Sequence, residues 1–252
     1  MKNSLFLEQG THRIHYQVIG QGKTLLLLHG GLGCLNEMQP LADHLAERYR
    51  VISLDFSGHG LSTLGPQPSS YAAYQHDVEC VLKHLGVEHY SVIGFSDGGI
   101  VGYRLASAAV QQVDSLITLG AQWRLQDTDP ARPLLEGLTA ATWQARFPQA
   151  VADYQSTHPQ PDFPALVAAV KRVWLDTSAQ GYPDESVTKI TCPVLILRGD
   201  SDFLFTLDEA VQLKKRLPSA HFANLPFASH AVHQECPTLV HQLIDSFLEQ
   251  YE

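Results

Sequence analysis

The sequence has no apolar run near the roughly 20 residues that a membrane span requires. Its opening segment, MKNSLFLE, offers only three apolar residues in a row, where a secretory signal needs a stretch of roughly 7–15. The chain is therefore expected in the cytoplasm. Cysteine is sparse. Cys34, Cys80, Cys192 and Cys236 lie far apart without metal-ligand spacing, and in a reducing compartment they read as free thiols. Basic clusters are also missing: the adjacent pairs and triplets are Lys171-Arg172 and Lys214-Lys215-Arg216, each suited to the solvated side of a helix. With 26 acidic against 17 basic residues, the formal charge is −9. That balance argues against nucleic acid or an anionic membrane as partner. The thirteen histidines are scattered. His12 and His15, three apart in a strand-like segment, point to opposite faces and would not share a metal.

What is present is a soluble globular profile: 252 residues, 44% hydrophobic and 17% charged, long enough for one large core. Segments 12–19, 24–29 (TLLLLH), 50–56, 90–95, 115–121, 193–198 (PVLILR) and 221–225 read as strands. Segments 41–49, 71–85, 98–109, 207–217 and 238–248 have helical spacing. Strand–helix alternation with uninterrupted apolar strands predicts an α/β fold with a mostly parallel sheet covered on both faces. Chemistry in such sheets sits beyond the C-terminal strand ends. Here those ends carry Gly30-Gly31, Asp55-Phe56, Ser96, residues 200–202 and the loop after Leu225.

The alternation stalls over residues 122–187, which hold all three tryptophans (Trp123, Trp143, Trp174) and seven of the fourteen prolines. This predicts a helical insertion, dividing the chain into a core of 1–121 and 188–252 and a cap of 122–187. Its aromatics either pack a small subdomain or close a lid over a substrate, with the three tryptophans as candidate substrate contacts.

Gly94-Phe95-Ser96-Asp97-Gly98 is the one G-x-S-x-G in the chain, and it falls between a predicted strand and a predicted helix, the context that gives the motif meaning. A sharp turn there strains Ser96, demands glycine two residues before and after, and lifts the hydroxyl clear of the sheet. A plain strand–helix turn is the alternative.

On these residues the chain resembles the α/β-hydrolase superfamily, over nearly its whole length. Leu28-His29-Gly30-Gly31-Leu32-Gly33 is similar to the family's HG loop. Residues 55–62 (DFSGHGLS) resemble its D-x-R-G-x-G-x-S segment, with Ser57 in place of the arginine. Residues 192–202 (CPVLILRGDSD) resemble the strand that delivers the acid, and Ser229-His230 with Glu235 and Pro237 resembles the histidine loop, serine replacing the commoner glycine. The resemblance implies an eight-stranded sheet with a helical cap after the sixth strand.

A serine nucleophile needs a base within hydrogen-bond reach. His230, after a late strand, is the candidate, with His233 as rival. The base needs an acceptor to fix its tautomer. The family's G-x-x-D places it at Asp202, while Asp200 would brace the loop through an Asx-type bond. Backbone N–H groups of Asp97 and Gly31 are the candidate oxyanion donors, with Leu32 as alternative to Gly31 and a simple tight turn as the alternative for the loop. A dinucleotide site is not indicated, since the G-x-G-x-x-G spacing is incomplete. The expected reaction is hydrolysis of a small-molecule carboxylic ester or lactone through an acyl-enzyme on Ser96, with no metal or organic cofactor. The alternatives are carbon–carbon bond hydrolysis on the same triad and a non-catalytic small-ligand receptor on the same scaffold. Serine at the elbow argues against dehalogenase or epoxide hydrolase chemistry, where the resemblance would put aspartate. The elbow is also similar to that of valacyclovirase-type amino-acid ester hydrolases. That likeness implies a substrate-ammonium role for Asp97, against the simpler role of complementing a helix N-terminus.

Overall fold

The computed structural model describes residues 4–65 and 67–251; the ends of the expected core range, 1–3 and 252, lie outside the described residues. In chain order the elements are β1 (Leu5–Gln9), β2 (His12–Ile19), β3 (Thr24–Leu28), a 3-10 turn (Leu35–Met38), α1 (Gln39–Leu45), β4 (Arg50–Leu54), α2 (Tyr71–His84), β5 (Tyr90–Phe95), α3 (Asp97–Ala108) and β6 (Val113–Leu119). Then follow α4 (Arg132–Gly137), α5 (Ala140–Arg146), α6 (Pro148–Thr157), α7 (Phe163–Leu175), a second 3-10 turn (Asp184–Lys189), β7 (Val194–Gly199), α8 (Leu207–Arg216), β8 (His221–Leu225), α9 (Val232–Glu235) and α10 (Pro237–Tyr251).

The eight strands form one sheet in the order β1-β2-β4-β3-β5-β6-β7-β8. Pairings β1/β2 and β2/β4 are antiparallel, and the remaining five are parallel. The β3 run TLLLL shows why the central strands are apolar throughout. Leu25 and Leu27 join the core on one side with Leu41, Leu45, Ile244 and Phe247 of α1 and α10. Leu26 and Leu28 join the other, with Val78, Val81, Val101 and Leu105 of α2 and α3. Side chains alternate faces along a strand, so a sheet covered on both sides leaves no polar position. Each such leucine contributes about 1.5–3 kcal/mol of burial.

β1, α1, the short α9 and the bounds of β6 differ from the sequence expectation. β1 is an additional edge strand, and its mostly exposed side chains lack the alternation that marks a half-buried strand. α1 spans Gln39–Leu45 rather than 41–49; it starts earlier because Pro40 sits in the first turn, where its missing N–H costs nothing.

Between β6 and β7 the chain makes four helices. Phe163, Leu166, Val167 and Val170 of α7 and Val151 of α6 form a separate cluster that takes in Leu32, from the loop after β3. The ends of the insertion behave differently. Trp123, Leu125, Leu135, Val173, Tyr182 and Val187 pack into the main core beside α2 and α3. The insertion is thus rooted in the sheet layer and rests on the β3 loop. Among the described residues no helix is long and apolar enough to cross a membrane.

Candidate active site

The β5–α3 junction is as tight as the motif requires. Ser96 has φ 50° and ψ −115°, a costly backbone for a non-glycine residue. A Cβ on Gly94 would lie 2.3 Å from the Gly98 carbonyl oxygen, and one on Gly98 would lie 2.4 Å from that of Leu28, so neither position admits a side chain. The strain is held by ordinary bonds: Ser96 N–H donates to Leu119 O at 2.9 Å, and Gly99 and Ile100 donate back to Ser96 O.

Three strand ends bring three side chains together. His230 Nε2 lies 3.0 Å from Ser96 Oγ. His230 Nδ1 lies 3.1 Å from each carboxylate oxygen of Asp202. The Asp202 side chain is fully buried and that of His230 is 17% exposed, so the histidine has one polar face toward the carboxylate and one edge toward an accessible serine. Asp202 Oδ1 also accepts from Leu204 N–H at 2.9 Å and Phe205 N–H at 3.0 Å. The loop-bracing bonds assigned in the sequence to Asp200 are therefore made by Asp202. Asp200 is exposed, and among the described residues its carboxylate takes only a 3.4 Å bond from Ser201 Oγ. His233 packs its ring on Phe95, 4.5 Å between centroids. Among the described residues neither of its ring nitrogens has a hydrogen-bond partner, and burial pushes its pKa down to about 4. The His230 loop is clipped by Glu235, which accepts from Ser229 N–H at 2.7 Å and from Ser229 Oγ at 2.5 Å. The serine that departs from the family's glycine thus has a local task.

The β3 loop packs beside this group through polar bonds. His29 Nδ1 donates to Gly30 O at 2.7 Å, while its Nε2 accepts from Phe56 N–H at 3.0 Å. Leu32 N–H donates to His59 Nε2 at 3.1 Å, and Gly33 N–H to Gly30 O at 3.2 Å. Burial holds both histidines neutral, with the pKa of His59 lowered to about 3, and this suits their roles as acceptors. Gly30 N–H donates to Glu37 Oε1. Leu32, the alternative donor, is thus spoken for, and among the described residues the Gly31 amide has no hydrogen-bond acceptor. Asp55 fastens the next loop. It accepts from Leu35 N–H and Leu61 N–H, both at 2.8 Å, and from His15 Nδ1 at 2.7 Å. Burial works to raise its pKa, but the His15 bond, with help from the Leu35 N–H, brings it below the usual value. Ser57 accepts from Gly65 N–H at 2.9 Å, a local turn bond in the place of the family's arginine. His12 bonds Asp77 while His15 bonds Asp55, so the two histidines serve separate partners.

Asp97 is buried at the start of α3. Tyr71, the first residue of α2, donates its hydroxyl to Oδ1 at 3.0 Å. Trp174 of α7 shares its indole N–H between both oxygens at 2.9 Å. Burial raises the Asp97 pKa to about 6, opposed by the Trp174 and Tyr71 bonds and by His230. The carboxylate abuts the β3 loop: a Cβ on Gly31 would lie 2.5 Å from Oδ2 and 2.6 Å from Trp174 Cζ2. Neither Tyr71 nor Glu37 stood out in the sequence. Tyr71 is one aromatic among many, and the only signal at Glu37 is a lone acid in the otherwise uncharged segment 30–42.

The tryptophans separate. Trp174 adjoins the elbow, and Trp143 lies 6.4 Å from it, ring to ring, and 4.7 Å from Phe147. Trp123 corrects the expectation of a substrate contact. It is fully buried, its N–H donates to Glu209 O, and the guanidinium groups of Arg124 and Arg216 lie 4.3 and 4.6 Å from its ring. Of these partners Glu209 and Arg216 are on α8, and none is at Ser96. Arg146 of α5 lies 5.6 Å from the ring of Phe203, which is itself 6.3 Å from His230.

A hydroxyl, an imidazole, a buried carboxylate and an unpaired amide in this arrangement can activate the hydroxyl and receive developing negative charge. A family model of the α/β hydrolase fold matches residues 23–172. The candidate carbamate hydrolase RutD of Azorhizobium caulinodans is 27% identical, over 94% of this chain and 96% of its own. The enol-lactonase of Burkholderia xenovorans LB400 superposes with a TM-score of 0.77 at 19% identity, covering 97% of this chain and 100% of that one. Carboxylesterase CesB of Bacillus subtilis gives 0.78 at 20% identity, covering 98% and 91%. The chain belongs to the α/β-hydrolase fold family.

Proposed function

We propose that the protein is a serine hydrolase that cleaves a carboxylic ester or lactone of a small molecule through an acyl-enzyme on Ser96. The observation that carries this reading is the 3.0 Å contact between Ser96 Oγ and His230 Nε2, with Asp202 on the far side of the imidazole. Ser96 attacks the acyl carbonyl as His230 Nε2 takes its proton. Asp202 keeps Nδ1 protonated and stabilises the imidazolium. The tetrahedral oxyanion is received by the N–H groups of Gly31 and Asp97. The alcohol leaves with the proton from His230. Water then repeats the sequence and releases the acid. The chemistry is complete without metal or organic cofactor. The three activities named for the similar proteins, on a carbamate, an enol-lactone and a carboxylic ester, all begin with attack on an acyl carbonyl, which supports the same class here.

The α4–α7 insertion acts as a lid. Trp174 reaches the elbow from α7 and Arg146 reaches Phe203, near His230, from α5, so the insertion contacts residues that neighbour Ser96 and His230. Trp143 and Trp174 border the acyl site. A fluorophosphonate probe followed by peptide mapping tests the reading: the label should fall on Ser96, and a panel of short-chain, long-chain, lactone and amino-acid esters should include a substrate. Labelling without turnover of any ester or lactone would favour carbon–carbon bond hydrolysis, and the absence of labelling would favour a ligand receptor.

A further inference from the structure

Glu37 is the acid of the 3-10 turn Leu35–Met38, and its carboxyl group lies inside the loop of residues 30–33. Gly30 N–H donates to Oε1 at 2.5 Å. A Cβ on Gly33 would lie 2.6 Å from Oε2, and one on Gly30 3.4 Å from Oε1. The carboxyl therefore fills the concave side of the loop that ordinary side chains would occupy. On the other side of Gly30, the carbonyl accepts from His29 Nδ1 and from Gly33 N–H. Both peptide groups flanking Gly30 are thus held. The Gly30 carbonyl and the Gly31 N–H belong to one planar unit, so the direction of that N–H follows from how Gly30 is fixed.

We infer that Glu37 is a positioning residue for the oxyanion donor: by anchoring Gly30 N–H it sets the aim of Gly31 N–H at the carbonyl oxygen under attack. The inference rests on the acyl-enzyme reading for Ser96. Such a donor must be in place before the reaction, because pre-organisation is what makes it effective. The groups facing Glu37 are Asp97 from α3, Asp55 from the end of β4 and Cys34 from its own loop. Burial, with Asp97 and Asp55, raises the Glu37 pKa to about 8. The group is therefore neutral at neutral pH, and it holds the loop without adding a second charge beside the forming oxyanion. Glutamine reproduces the neutral acceptor, and alanine removes it.

The test compares Glu37→Ala, Glu37→Gln and Ser96→Ala on the best ester of the panel at pH 7. A mispositioned oxyanion donor affects the transition state more than the ground state. Glu37→Ala should lower kcat about 10-fold or more while KM stays within about twofold, and Glu37→Gln should recover most of the loss. If Glu37→Ala fails to fold, Glu37→Asp, one methylene short of Gly30 N–H, gives the same comparison. Substantial turnover by Ser96→Ala would overturn the acyl-enzyme reading and the inference with it. An inactive Ser96→Ala beside a Glu37→Ala with near wild-type kcat would overturn only the inference. A loss carried by KM, or a Glu37→Gln no better than Glu37→Ala, would do the same.

Discussion

Trp174 of α7 donates its indole N–H to both carboxylate oxygens of Asp97, the residue that follows Ser96 in the chain, at 2.9 Å each. One side chain thus joins the inserted helices to the elbow. Trp174→Phe keeps most of the ring and removes the donor. Leaving a buried acceptor one donor short costs about 1–3 kcal/mol, a fall in Tm of about 2–4 °C per kcal/mol for a chain of this size. The same indole should report on the acyl site. Binding of a substrate analogue should change tryptophan fluorescence in wild type, and Trp174→Phe should lose most of that change. A response that survives in full would place the reporter elsewhere, and Trp123, buried against α8, is not expected to respond.

Asp202 and Asp200 are two residues apart and differ sharply in surroundings, since only Asp202 meets His230. Asp202→Asn leaves the imidazole in the wrong tautomer, and kcat should fall roughly 10⁴-fold, as in the serine protease template. Asp200→Asn should stay within about twofold of wild type. Equal losses from the two variants would contradict the assignment.

The residues that meet at Ser96 were legible because each sits at the C-terminal end of a parallel strand. The motif around Ser96, the late strand before Asp202 and the short strand before His230 needed only a doubly covered sheet to bring them to one edge. The tie around Asp97 was not legible. Its partners are 26 and 77 residues away, and no local pattern announces a contact made by folding the insertion back over the elbow. Trp123 shows the converse. Composition grouped it with the other tryptophans, yet the chain has just left β6 at that point, and its indole stays in the main core. Glu37 was passed over for a related reason. A single acid in an uncharged segment reads as surface until the loop of residues 30–33 is seen to wrap around its carboxyl group.

Glu37 also makes a prediction for stability. Its pKa rises from an ordinary 4.5 to about 8, chiefly through burial. Between those values the folded chain binds the proton that the unfolded chain has released. The stability tied to this group is therefore fully present below pH 4.5 and is lost as pH rises through about 8. Glu37→Gln cannot ionise and escapes the loss. Thermal melts should show its advantage over wild type growing from pH 5 to 9. A constant difference, or one that shrinks with rising pH, would count against a buried neutral Glu37.

Among the described residues Asp97 Oδ2 holds only the shared Trp174 N–H and faces the Gly31 backbone, so it keeps capacity to accept a further donor. A substrate ammonium bonded there would gain a charge-assisted hydrogen bond of about 1.5–3 kcal/mol. The expected outcome is a kcat/KM about tenfold or more higher for an α-amino ester than for its des-amino analogue, lost in Asp97→Asn. No preference in wild type, or an equal fall for both esters in the variant, would leave Asp97 as the Trp174 and Tyr71 anchor alone.

The claim that Ser96 is the nucleophile is tested most directly by the turnover of Ser96→Ala on the best ester substrate, with folding checked by its melting curve. A variant that melts like wild type should lose kcat by roughly 10⁴-fold or more. A folded Ser96→Ala that retains above about a tenth of wild-type turnover would contradict the acyl-enzyme account.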